Sequence, residues 1–247
     1  MKKKRNKFML LLEENLEEKL SSKKEELKLL RYYANFYKLK LSQADTILET
    51  YSQMLHVINR GQWEIPRKRR KYSRIPYNNI LECGSGNIQT GFISIEAQKI
   101  IDDKRKDNNY HLTWDHIYSP QTYSYYMYSN WYEIYNNNLH NFFKDMKMLM
   151  KVVRVLKKEN TNFREYTINN ESTSYQLKLK VPTTHRYTAA GIILLGDNIS
   201  PRTIRSEDIP NRYPWELSEH YIEWEAECMI MLSKDEIKKL KKVYGGS

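Results

Sequence analysis

An aspartate and a histidine stand side by side at positions 115 and 116, inside HLTWDHIYSPQ (residues 111–121). On an extended chain, adjacent side chains point to opposite faces, so the two do not form one hydrogen-bonded unit. A carboxylate is a hard oxygen ligand suited to Mg2+ or Mn2+. A neutral imidazole is suited to take a proton from water near pH 7. Together they fit metal-assisted hydrolysis of a phosphodiester: His116 deprotonates a water, while a cation on Asp115 holds the scissile phosphate and the leaving oxygen. The plain alternative is a polar strand end with no chemical role.

Other residues point to an anionic partner. The chain of 247 residues carries 41 Lys and Arg against 30 Asp and Glu, a formal net charge of +11. Nucleic acid is the commonest partner of such a charge. The cations concentrate in IPRKRRKYSRIPYNN, where Arg67, Lys68, Arg69, Arg70, Lys71 and Arg74 lie between Pro66 and Pro76, with no acid until Glu82. Proline disfavours helix before it, so this segment is expected to be extended and to lie along a phosphate backbone. His185 and Arg186, in TTHRYTAAGI, are further candidates for phosphate contact. His111 fits no essential role, and His56, His140 and His220 are scattered.

Several classes are disfavoured. The cysteines are two, Cys83 and Cys228, with no CxxC and no zinc spacing. A reducing, cytoplasmic setting is expected. The N-terminal apolar run, Phe8 to Leu12, ends at Glu13 and Glu14. No stretch approaches the roughly 20 apolar residues of a membrane span. The GSG at 84–86 lacks a following GK[ST], so it is not a phosphate loop. The 20 tyrosines are read as core rather than as a binding signal.

The elements that must position Asp115 and His116 follow from periodicity. Leu12, Leu16, Leu20, Leu27, Leu30 and Tyr33 recur at helical spacing, which predicts helices over 8–39 and 43–59, with Ser42 as N-cap and Gly61 as terminator. A short helix is expected from Ser94. Aromatic and apolar residues from Tyr125 to Leu149 step helically, with a break at Asn136–Asn138. MLMKVVRVL (148–156) suits a strand, KENTNFREY opens a short helix, and SYQLKLKVP (174–182) alternates as an antiparallel edge. TAAGIILLG reads as an apolar strand or short helix. A helix or strand is expected near 215–232, and a last helix is capped by Ser233. The fold class is α+β, mostly helical with a small antiparallel sheet.

TWDHIYSP resembles the first strand of the HNH, or ββα-metal, nucleases, and MKVVRVLKKENTNF is similar to the second strand and helix start of phage-encoded members. The resemblance implies a metal-dependent endonuclease acting on double-stranded DNA, possessing a ββα-metal finger with a helical insertion and, in phage, often a homing role. It implies His116 as general base and Asp115 and Asn160 as ligands of Mg2+ or Mn2+. Asn137, Asn138 or His140 would orient the histidine. The corresponding division is a helical hairpin at 1–62, a basic segment and linker helix at 63–110, a nuclease core at 111–170 and an α+β region at 171–247.

Two other readings compete. A nucleic-acid-binding protein without catalysis needs only the basic segment and the N-terminal helices. An assembly protein would use those helices to self-associate. Glu82, Glu96 and Lys99 also echo a PD-(D/E)xK restriction site with altered spacing.

Overall fold

The computed structural model describes residues 23–62, 72, 74–82, 87–103, 111–161, 167–169, 177–196 and 218–229. The chain divides into two compact units, one made of residues 1–88 with 118–150 and the other of 89–117 with 151–247. The first is helical. The second carries the sheet. This partition cuts across the expected nuclease core: its insertion joins the N-terminal helices, and its strands belong to the other unit.

In the helical unit, α1 (Lys23–Tyr37) and α2 (Leu41–Asn59) form the expected pair. The break falls at Lys38, which takes a positive φ of 53°. The N-cap of α2 is Lys40, two residues before the expected cap. Gln43 accepts the Lys40 N–H through its side-chain oxygen at 2.7 Å, while Ser42 lies inside the helix and offers its carbonyl to Thr46. The longer glutamine side chain reaches back to the helix start. Gly61 ends α2 as expected, at φ 60°. Gly61 N–H donates to Ile58 and Gln62 N–H to Val57, the paired closure that favours glycine at this position.

Helix α3 (Ile75–Glu82) corrects the expectation of an extended segment up to Pro76. Proline lacks a backbone donor, but the first helical turn has no use for one, so Pro76 sits in that turn. Helix α4 (Ile95–Asp102) belongs to the other unit. After it in the chain come α5 (Pro120–Ser129), a π-helical turn (Trp131–Tyr135) and α6 (Leu139–Leu149). The Asn136–Asn138 break is as expected. Asn137 adopts a φ of 57°, and Asn138 caps α6 by accepting from the Asn141 N–H at 3.0 Å. Tyr51, Trp131, Tyr135 and Phe142 are all buried, and Trp131 and Phe142 each meet the other three rings. The tyrosine excess is therefore substantially core. Tyr51 donates to the Tyr135 carbonyl and Tyr135 to the buried Asp145 carboxylate, so their polar tips are satisfied.

The second unit holds β1 (Ile88–Ser94), β2 (Leu112–His116), β3 (Lys151–Leu156) and β6 (Leu194–Leu195), in the order β2-β3-β1-β6. β2–β3 and β1–β6 are antiparallel. Beside β3, Ile88 N–H donates to the Met150 carbonyl and the Thr90 hydroxyl to the Val152 carbonyl. The two chains ascend together there, so the sheet is mixed rather than purely antiparallel. The spacing of residues did not predict β1, which contains Gly91 and follows Gly84 and Gly86. Ser94 ends it and caps α4 through the Ala97 N–H at 3.1 Å. Ala97, Leu112 and Leu156 form a small core with Ile93 and Ile100. A five-residue helix α7 (Lys157–Thr161) follows β3. A two-stranded ladder, β4 (Thr167–Asn169) with β5 (Leu177–Leu179), a short α8 (Arg186–Ala189) and α9 (Glu219–Cys228) complete the described elements. No helix among the described residues is long and apolar enough to cross a membrane.

Candidate functional site

Strand β2 is paired along its whole length with β3, Leu112 opposite Leu156, Asp115 opposite Val153 and His116 opposite Val152. Alternation puts Leu112, Trp114 and His116 on one face and Asp115 on the other. Leu112 packs toward α4, and Asp115 meets Arg186 and Tyr187 of α8. Both faces are covered, so both polar residues are buried: Asp115 is 6% exposed and His116 7%.

The Asp115 carboxylate is fully engaged. Arg186 Nη2 donates to Oδ1 and Oδ2, each at 2.9 Å. The Tyr187 hydroxyl donates to Oδ2 at 2.6 Å. Arg186 Nη1 donates to the carbonyls of His116 at 2.6 Å and Ile117 at 3.0 Å. One guanidinium thus holds a carboxylate and the end of the strand that carries it. Burial pushes the Asp115 carboxyl up from its usual range, against the opposing pull of Arg186 and Tyr187. Burial works most strongly against the Arg186 charge, but Asp115, together with Tyr187 and Tyr221, outweighs it and the guanidinium is held above its ordinary value. Nη2 alone bridges the two carboxylate oxygens while Nη1 serves the backbone, a charge-assisted contact rather than a two-nitrogen fork.

This arrangement does not fit a divalent cation on Asp115. A hard cation needs carboxylate oxygens free to coordinate and usually more than one such ligand. Both oxygens of Asp115 already accept from nitrogen or hydroxyl donors, and a cation beside Arg186 would meet a like charge. Among the described residues, no group of three or more His, Cys, Asp or Glu side chains is placed to hold a metal. Asn160, the third expected site residue, lies on α7. That helix begins at the Leu112 end of the ladder, where Lys157 N–H donates to the His111 carbonyl at 2.9 Å. Asp115 is three residues farther along β2, about 10 Å of strand. Glu159 of the same helix turns inward, accepting from the Leu156 N–H at 2.8 Å and the Ser94 hydroxyl at 2.7 Å.

Of the expected phosphate contacts, Arg186 is directed inward by the bonds just described. His185 is half-buried, with its Nδ1 3.0 Å from the Thr184 hydroxyl. Arg74 is exposed just before α3. Arg67, Lys68, Arg69, Arg70 and Lys71 lie outside the described residues. Lys99 pairs with Glu96 at 2.7 Å on the exposed surface of α4, while Glu82 falls in the other unit. Sequence reasoning missed Tyr187 altogether. Its only local signal was the charged His-Arg pair preceding it in an otherwise apolar run.

Neither a family model nor a curated protein nor a solved structure matches this chain.

His116 has a measurable consequence of its own. Burial, and then the charge of Arg186, push its imidazole down from 6.5 to about 4. Between these values the unfolded chain binds a proton that the folded chain does not. Stability contributed by the neutral ring is present above pH 6.5 and is lost as pH falls toward 4. At about 1.4 kcal/mol per tenfold in proton affinity, the loss is about 3 kcal/mol. His116→Gln, which does not titrate, should therefore show a flatter denaturation midpoint between pH 7 and pH 4 than the wild type. Parallel pH curves for the two proteins would contradict the buried neutral imidazole.

Proposed function

We propose that the protein binds nucleic acid, double-stranded DNA in the first instance, through a cationic surface and without metal-dependent catalysis. The observation that carries this reading is the use made of Asp115: the one carboxylate beside the candidate general base is tied to Arg186 and Tyr187. The net charge of +11 and the cluster Arg67–Arg70, Lys71 and Arg74 support the binding half. An arginine that grips a carboxylate and the carbonyls of His116 and Ile117 is a device for fixing the end of β2, with both oxygens of Asp115 already accepting hydrogen bonds.

A second reading, a metal-dependent HNH-type endonuclease using Mg2+ or Mn2+, is favoured by the order of elements. Strand β2, the helices of 120–149, the antiparallel partner β3 and then α7 follow one another as the resemblance expects. In that reading His116 takes the proton from water, and Asp115 and Asn160 would hold the cation once Arg186 had left Asp115.

One experiment separates the two. Supercoiled plasmid is incubated with the protein in Mg2+, Mn2+ or EDTA, and binding is followed on a duplex under the same conditions. Salt-sensitive binding that is indifferent to EDTA, with no nicking, is the expected result. Nicking that requires Mg2+ or Mn2+ and disappears in Asp115→Asn would establish the endonuclease instead. In that event His116→Ala should lower the single-turnover rate by about 10²–10⁴-fold with affinity retained.

A further inference from the structure

Helix α1 leaves two large rings on the surface of the helical unit. Tyr32 is 57% exposed and Phe36 55%. They lie one turn apart, with ring centroids 6.0 Å apart and an interplanar angle of 26°. Phe36 also stands edge-on to His140 of α6 at 5.1 Å. Behind them, buried Tyr33 stacks on Phe143 at 4.2 Å and 9°, and Tyr37 donates to the His140 carbonyl at 2.7 Å. Phe36 is thus seated against α6, and Tyr32 against Tyr33 and Phe36 of its own helix.

Beyond its first turn, where Glu25 and Glu26 stand, the charges along α1 have one sign. From Leu27 to Lys40 the chain carries Lys28, Arg31, Lys38 and Lys40 and no acid, and all four cations are exposed. Phe36 faces His140 and Tyr33 faces Phe143, so α1 and α6 run in opposite directions at this contact. Exposed Lys144, one turn beyond His140, therefore lies on the Tyr32 side of the patch.

We propose that this face of α1 is a stacking platform for the unpaired bases of a single-stranded nucleic acid segment. Flat aromatic faces offered beside cations match a strand whose bases are open and whose phosphates run alongside. A duplex keeps its bases stacked on one another and has nothing to lay on Tyr32 and Phe36. The absence of acid across 27–40 disfavours a basic partner, and a second copy of this chain would bring the same cations against themselves. The inference rests on the nucleic-acid-binding reading above and adds to duplex binding a second, single-stranded form of ligand and the surface that meets it.

The test is fluorescence anisotropy with a labelled oligothymidylate of about 20 nucleotides, a site-size scale within reach of one protein, and with a duplex of equal length. The proteins are wild type, Tyr32→Ala/Phe36→Ala and the aromatic exchange Tyr32→Phe/Phe36→Tyr. Both positions are exposed, and melting temperature confirms that the variants fold. Each lost stack is expected to weaken single-strand binding about tenfold. The double alanine variant should thus lose about a hundredfold on the single strand, keep its duplex affinity, and be rescued by the aromatic exchange. Unchanged single-strand affinity in the alanine variant overturns the proposal, as does an equal loss on both ligands. A dimer in wild type that dissociates in the variant, with oligonucleotide affinity unaltered, assigns the face to a second copy and also overturns it. Wild-type protein that binds neither oligonucleotide removes the binding reading itself, and the platform with it.

Discussion

Arg186→Ala is expected to lower the stability of the protein by about 3–5 kcal/mol, the usual cost of leaving a buried charge without its partner. The substitution strips Asp115 of the guanidinium nitrogen that bridges both its oxygens. It also leaves the His116 and Ile117 carbonyls without their donor. Tyr187 alone would remain on the carboxylate. Urea denaturation measures the loss. The double variant Asp115→Leu/Arg186→Met should recover much of it, because an apolar pair of similar size avoids the desolvation of both charges. Recovery should be incomplete, since the His116 and Ile117 carbonyls still lose their bonds from Arg186, and a hydrogen bond from a charged donor is worth about 1.5–3 kcal/mol. This pattern, a large single loss with partial recovery in the double variant, is the signature of a structural ion pair. If Arg186→Ala kept wild-type stability and bound Mn2+ by calorimetry, Asp115 would be a cation ligand and the endonuclease reading would take over.

The second large effect is expected on DNA affinity. Replacing Arg67, Lys68, Arg69 and Arg70 with alanine removes four cations from the basic segment. If each neutralises a phosphate, the slope of log K against log salt should fall by about 0.9 per contact, about 3–4 in all. At 0.1 M salt that corresponds to roughly a thousandfold in affinity. Duplexes of unrelated sequence should lose equally, because phosphate contacts carry no sequence information. A salt slope identical to that of wild type would take the segment out of the interface, and the +11 charge would then act elsewhere on the surface.

Much of the fold can be read in the chain because its signals are local. The α2 stop at Gly61 needs only a residue that accepts positive φ and two backbone bonds back into the last turn. The aromatic spacing from Tyr125 to Leu149, the Asn136–Asn138 break, the β-branched run of β3 and the short helix after it are likewise visible within a few residues. Where a local signal misled, a neighbour with longer reach took over. Gln43 rather than Ser42 closes the start of α2. Pro76 entered a first helical turn, where its missing donor costs nothing. Strand β1 contains a glycine at φ 80° and follows a glycine-rich stretch. It becomes a strand because β3 and β6 flank it, and neither partner is near it in sequence.

The Asp115-His116 pair shows the same division most sharply. The sequence by itself determined that a carboxylate and an imidazole stand at the end of a short strand, on opposite faces, in a strongly basic chain. It could not determine what each face would meet. The tertiary structure supplied Arg186, 71 residues away, and Tyr187, 72 residues away, and so turned an aspartate suited to a cation into one held by a guanidinium and a phenol. The physical reason is that strand periodicity sets the direction of a side chain from its own backbone, within one residue. The partner at the end of that direction is set by which distant segment packs against the sheet, and burial on both faces then fixes the protonation of Asp115 and His116 through contacts that no local spacing encodes.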